Sequence, residues 1–438
     1  DNVCVCKERK KEVNIGEDGF CSSWEETKKK PKVIHQHSPT DFAKPKEKKA
    51  KEKLSKKKVV RTSLLITDRF IVEQVYDSEN KFCIYNVNSG EIIYEYEFED
   101  ENFIYKPLEG EEIEKKAILL PTKAEEYVSD DILDNELKNF INKWLEIPED
   151  LLQFSIWNIK RSWIYERFHT LNYLRALGDT GMGKSRFLDV LGYLHYKPIQ
   201  TSGATTSAPI FRIIDKWKGT LIIDEADFDK SDEAQDIIKI INQGYERGRN
   251  IMRCDMENKS DVNFFDPYCP KILATRKTFQ DKAVESRCIT HVMKGMIRKD
   301  IPYNLNKNFF DDVQTLRNKL LMWRFENYHK IDPNKQVELD LGDLEPRVIQ
   351  IVSSFSNMFI NNDKQVELFR NFIKKNSLIC EIGKQKQEGI KIKMENKNKT
   401  AIVIITYNNS QLIKKQVECI NRFCKDKPDI IIVDNSTD

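Results

Sequence analysis

The sequence predicts an α/β protein built on a parallel sheet with helices on both faces, preceded by a small β-rich domain and followed by a helical region and a partial βαβ unit. Three observations predict it. Short apolar strands alternate with amphipathic helices between residues 169 and 293, the pattern of strands buried on both faces. A glycine-rich segment, GDTGMGKS at 178–185, separates one such strand from the helix after it. A later strand, in TLIIDEAD, ends on the adjacent acids Asp224 and Glu225.

Length and composition set the frame. At 438 residues the chain exceeds one typical core, which favours two or three domains. Its 39% hydrophobic and 32% charged residues, with no apolar run long enough to span a bilayer, predict a soluble protein without a membrane partner. The net charge of +2 conceals a strongly basic tract. Ten cysteines lie scattered from Cys4 to Cys424, without the dense spacing of a secreted disulfide scaffold, and no secretory signal is visible. A cytoplasmic location fits this usage.

Residues 1–42 hold Cys4, Cys6, Cys21, His35 and His37, a ligand chemistry that suits zinc, although Cys-x-Cys and His-x-His depart from the usual paired spacing. The competing reading is a poorly ordered tail with incidental cysteines. Lysines dominate residues 43–61, a solvated linker that could also hold phosphates. Over 62–125, runs rich in Ile, Val, Tyr and Phe, among them 81–87 and 91–98, alternate with turn residues and predict the β-rich domain. A helical connector follows over 126–168, with helices over 130–152 and 151–165 broken near Pro148. The core spans 169–300, with strands expected at 170–177, 198–201, 220–224, 271–275 and 288–293. Residues 301–390 read as a helical lid, with helices over 309–328 and 346–374.

The chemistry concentrates in the two motifs. G-x-x-x-x-G-K-S places Gly178 and Gly183 where the backbone curls, so that N–H groups of Asp179, Thr180, Gly181 and Met182 face phosphate oxygens. Lys184 is expected on the β- and γ-phosphates and Ser185 on Mg²⁺, with the helix over 184–194 presenting its positive end to the anion. The strand at 221–223 delivers Asp224 to the sheet edge, where a carboxylate holds the magnesium hydration shell, and Glu225 is placed to orient the attacking water. These are the parts of a P-loop NTPase that binds ATP and Mg²⁺. Adjacent acids at a strand end can also be a plain loop start or helix cap.

Over roughly residues 169–293, with a weaker helical match to about 360, the chain resembles the AAA+ and related helicase-like ATPases. That resemblance implies a sensor at Thr275 in KILATR, where asparagine is commoner, and an arginine finger at Arg287 in the Ser286-Arg287-Cys288 sequence. A finger reaching a neighbour's site implies a homo-oligomer. Arg276 is the competing candidate, and either arginine could be a surface ion-pair residue. Arg347 resembles the family's helical-lid arginine. Arg247, Arg249 and Arg253 could form a positively charged hairpin that touches a nucleic-acid backbone, as a loop in this region does in helicase-like relatives, or a subunit interface.

Residues 401–438 form an apolar strand, a polar turn, an amphipathic helix and a second apolar strand. They resemble the opening of a GT-A family-two glycosyltransferase, which would place Thr406, Tyr407 and Asp434 around a nucleotide. The chain ends before that family's metal motif and base, so transferase activity is not expected of it. The expected function is ATP hydrolysis driving work on nucleic acid, expected to be DNA, as a helicase or replication-associated ATPase. The alternatives are an ATP-dependent protein switch or assembly factor, or a fusion or fragment that includes the start of a transferase.

Overall fold

The computed structural model describes residues 3–6, 11–14, 57–202, 205–227, 232–254, 261–295, 297–335, 339, 346–359, 362–387, 401–406 and 429–434. The chain divides into two compact units, one of residues 1–86 and 91–109 and the other of 87–90 and 110–438.

In the first unit Leu64–Ile66, Phe70–Tyr76, Asn80–Asn86 and Ile92–Glu95 form an antiparallel sheet in sequential order. A smaller sheet sets Lys58–Arg61 parallel to Phe103–Lys106, which pairs antiparallel with Phe98–Glu99. Val72, Phe82 and Ile84 are buried on one face, and Leu65, Phe70, Phe98 and Tyr105 close over them. Where a cysteine-bearing module or tail is expected, Val3–Cys6 and Lys11–Asn14 pair as antiparallel strands.

Two helices open the second unit. The first, α1 (Asp130–Trp144), starts where the Ser129 side chain accepts the Ile132 N–H, and Leu133, Leu137, Phe140, Ile141 and Trp144 line its buried stripe. Pro148 precedes α2 (Glu149–Ser162), whose last half is buried even at Lys160 and Arg161. Five parallel strands follow: β1 (Tyr173–Leu177), β2 (Pro198–Ser202), β3 (Thr220–Asp224), β4 (Lys271–Thr275) and β5 (Cys288–Val292). Their order is β2-β3-β4-β1-β5, with Leu177 level with both Thr275 and Val292. Every residue of β4 is buried, and β1 and β3 are buried up to their last residue, as helices on both faces require. The α/β class and the five strands therefore agree with expectation.

Helix α3 (Lys184–Gly192) follows β1 and packs across β1, β4 and β3. Its end approaches β3 so closely that a Cβ at Gly192 would lie 2.5 Å from Ile222 Cδ1. Helix α4 (Ser207–Trp217) buries Ile210, Phe211, Ile214 and Trp217 on one face, and α5 (Asp232–Gln243) follows β3. Helix α6 (Lys307–Asn327) begins at an Asn306 cap and packs on α1. The expected helix over 346–374 is instead α7 (Pro346–Ser353), a 3₁₀ segment Ser354–Phe359, and α8 (Asp363–Gln387). Aromatic packing accounts for the break: Phe355 and Phe359 leave the helical path to meet Phe154, Trp157 and Phe369.

Buried arginines brace this unit. Arg324 of α6 donates to both carboxylate oxygens of Glu166, at 3.0 and 2.9 Å, and to the Trp163 carbonyl, between the rings of Tyr196 and Tyr328. Arg317 donates to the carbonyls of Leu119, Tyr193 and His195. Burial lowers the Arg317 pKa to about 9, a value at which it is still cationic at neutral pH. Near the chain end, Ala401–Thr406 and Asp429–Asp434 pair parallel; Tyr407 and the expected helix between them lie outside the described residues.

Candidate functional site

β1 ends at Leu177, and the chain turns at the carboxyl edge of the sheet before α3 begins. The turn is fixed from two sides: Gly178 N–H donates to Thr275 O at 3.1 Å, and Met293 N–H donates to Leu177 O at 2.7 Å. Gly183 caps α3 with φ 88°, a left-handed conformation that favours glycine, and Gly181 precedes it at φ 82°. The first-turn N–H groups of α3 have no intrahelical acceptor, and that turn carries no acid. The result is an anion-attracting helix end.

Side chains expected to act together converge on it. Lys184 Nζ reaches back to donate to Asp179 O at 2.8 Å. Ser185 Oγ donates to Asp224 Oδ2 at 2.8 Å, and Glu225 N–H donates to Asp224 Oδ1 at 2.8 Å. Glu225 itself sits at φ 53°, a conformation costly for a residue with a Cβ, which turns the chain sharply after β3. Thr180, Gly181, Gly183, Lys184, Ser185, Asp224 and Glu225 line one cavity of about 310 Å³ with Arg186, Asp227 and Arg276.

The surrounding charges are ordered. Burial, with a smaller contribution from Asp224, raises the Asp189 carboxyl above its usual range. At Asp227 burial acts the same way, but hydrogen bonds from Arg276 outweigh it and hold the carboxyl below that range. Arg186 donates to Pro302 O at 2.9 Å, to Trp144 O at 3.3 Å and to the Tyr303 carbonyl, tying the start of α3 to α1. A Ser hydroxyl beside an Asp carboxylate is a hard-oxygen pair, the donor type that Mg²⁺ takes while keeping several waters. Ser185 and Asp224 therefore fit that ion.

Of the other expected residues, Thr275 lies at the same edge, fully buried, its Oγ1 without a hydrogen-bond partner and its carbonyl on Gly178. Arg287 lies elsewhere. It is 6% exposed at the amino end of β5, the far end of the strand from the loop; its guanidinium lies 4.0 Å over the Tyr245 ring and donates to Asn242. Its side chain is thus packed within this chain. Arg249 pairs with Glu246, Arg253 with Asp236, and Arg247 lies over Tyr268. Ile251–Cys254 pairs antiparallel with Val262–Phe265, so of the three arginines only Arg253 lies on the paired strands, and Met252 and Phe264 are exposed at 65% and 60%.

Helix α7 contains Arg347, whose side chain lies outside the described residues, as do those of Cys4, Cys6, Thr406 and Asp434 and the whole of Cys21, His35 and His37. Among the described residues no group of three or more His, Cys, Asp or Glu could hold a metal, and no helix is long and apolar enough to cross a membrane. Sequence reasoning singled out neither Asp227, which closes the TLIIDEAD segment, nor Arg186, which directly follows GDTGMGKS.

No family model matches the sequence, and no curated protein matches it. Among solved structures the chain is similar to an A-form apo structure of the NrS-1 C-terminal region, at 12% identity over 70% of this chain and 72% of that one, with a TM-score of 0.30. An apo structure of NrS-1 residues 305–718 gives 12% identity over 72% and 87%, with a TM-score of 0.28. A full-length MCM homolog from Methanopyrus kandleri gives 9% identity over 70% and 72%, with a TM-score of 0.34. Scores this low assign neither fold nor function.

Proposed function

We propose that this chain is a P-loop enzyme that hydrolyses ATP and couples the reaction to work on nucleic acid. The observation that carries the hydrolytic half is the Ser185 to Asp224 hydrogen bond, at the mouth of a cavity that Lys184 and Glu225 also line. In this reading the loop N–H groups and the amino end of α3 bind the phosphates. Lys184 leaves the Asp179 carbonyl for the β- and γ-phosphate oxygens. A magnesium ion, when bound through Ser185 and Asp224, neutralises phosphate charge. Glu225 orients a water and takes its proton as the water oxygen bonds to the γ-phosphorus and the bond to the ADP oxygen breaks. Thr275, buried at the end of β4, serves the site in this reading by holding the loop, its carbonyl accepting the Gly178 N–H.

The nucleic-acid half is supported by the paired strands Ile251–Cys254 and Val262–Phe265, whose exposed Met252 and Phe264 are suited to stacking on single-stranded bases. The same exposed apolar side chains favour a second reading, an ATP-driven switch that docks a protein there. Assembly of several copies is part of the proposal: Tyr303, whose carbonyl holds Arg186 at the cavity, is 80% exposed, and Ile297 is equally exposed.

One assay tests both halves. Purified protein is expected to hydrolyse ATP, faster with single-stranded DNA at low salt and without that gain at high salt; Lys184→Ala is expected to be inactive. Normal turnover by Lys184→Ala would refute the site. Turnover indifferent to DNA and RNA would favour the switch.

A further inference from the structure

We propose that Arg276 contacts the γ-phosphate of ATP bound in its own subunit, and that Asp227 is the residue that positions it. The inference deepens the ATP-site reading and rests on it.

Two arginines line the cavity, Arg186 and Arg276. Arg186 is spent on three backbone carbonyls, and Arg287 is enclosed elsewhere. Arg276 differs: it directly follows the end of β4, its side chain is 51% exposed, and it is held through Nε, at 2.8 Å from Asp227 Oδ2. Among the described residues no other side-chain pairing involves it, so both terminal nitrogens remain for phosphate oxygens, which their planar fork can meet in pairs.

Asp227 does more than neutralise a charge. Its Oδ1 accepts the backbone N–H of Arg276 at 2.7 Å and that of Lys277 at 3.4 Å, while Oδ2 takes the side chain. One carboxylate therefore fixes the backbone, the side-chain direction and the turn after β4 together. The segment it belongs to starts at Asp224 and Glu225, and Ala226 N–H donates to Ala274 O at 2.8 Å, so the acid loop and the end of β4 are laced residue by residue. A surface ion pair contributes little to stability at this exposure, so what the side-chain bond chiefly sets is the direction of the Arg276 guanidinium. The depressed Asp227 carboxyl accords with an acid kept ionised for its donors.

The test uses the full chain, with ADP and ATPγS binding measured by calorimetry and kcat measured for ATP. Arg276→Ala is expected to lower kcat about 10²-fold or more. It is also expected to cut the preference for ATPγS over ADP about tenfold, the scale of one charge-assisted hydrogen bond, with ADP affinity kept. Asp227→Asn turns one acceptor oxygen into a donor and should shift both quantities the same way by less, with Asp227→Asn/Arg276→Ala no worse than Arg276→Ala. Arg276→Lys keeps the charge without Nε and should rescue part of kcat. An unchanged kcat and nucleotide preference in Arg276→Ala would overturn the inference while leaving the ATP site intact, as would losses that multiply in the double variant. Native protein that binds neither nucleotide would overturn the ATP site and this inference together. If Asp227→Asn fails to fold, the half-exposed Arg276→Ala still decides.

Discussion

Ser185 Oγ donates to Asp224 Oδ2 at 2.8 Å although the strands that deliver these residues, β1 and β3, are not neighbours. β4 lies between them, so the bond crosses above its end. It can form because α3 lies low over the sheet, with Gly192 against Ile222. The two oxygens are thereby brought together by the fold itself, which reduces the ordering a bound cation would impose.

The first prediction follows from that pair. Ser185→Ala is expected to raise the Mg²⁺ concentration for half-maximal ATPase by at least about tenfold, the scale for loss even of an outer-shell partner. Ser185→Thr keeps the hydroxyl and should titrate like the native protein. Identical Mg²⁺ curves for the Ala and Thr variants would show that Ser185 does not serve the ion.

Glu225→Gln preserves shape and the left-handed backbone position but removes the proton acceptor. Its kcat is expected to fall about 10²- to 10⁴-fold, with ATP affinity retained. Steady-state kinetics beside nucleotide binding would check this. A native rate would move the water-activating role to another residue.

Much of the site is legible in sequence because its logic is local. GDTGMGKS encodes its own turn through glycines at 181 and 183, and the apolar run before Asp224 marks a strand end. Long-range partners were not legible. Nothing in AVESRC announces that the Tyr245 ring will cover Arg287, and Asp227 meets Arg276 across 49 positions. The helix over 346–374 failed for a related reason: helical spacing is present, but Phe355 and Phe359 gain more by joining the Phe154 cluster than by continuing the helix.

The Arg324 to Glu166 pair gives a stability prediction. Arg324 is fully buried and its guanidinium answers to Glu166 and the Trp163 carbonyl. Glu166→Ala takes a carboxylate away from that buried charge and should destabilise the second unit, by up to about 3–5 kcal/mol, read by urea unfolding. Glu166→Leu with Arg324→Met removes both charges and should recover most of the loss. A Glu166→Ala protein as stable as the native one would mean that water reaches Arg324.

His195 supplies a pH dependence. It is fully buried, its Nδ1 2.8 Å from Leu191 O and its Nε2 3.2 Å from Asn158 Nδ2, so the neutral ring donates to the carbonyl and accepts from the amide. Burial lowers its pKa to about 4, against a weaker upward effect of the Leu191 bond. In the unfolded chain a histidine titrates near 6.5, so between that value and about 4 the unfolded state binds a proton that the folded state refuses. Stability is therefore present above pH of about 6.5 and lost as pH falls toward 4, by about 3 kcal/mol from this one group. His195→Gln lacks the titration, and its loss of stability across that window should be shallower than the native protein's. Urea unfolding at a series of pH values measures both slopes, and equal slopes would show that the folded protein accommodates the imidazolium.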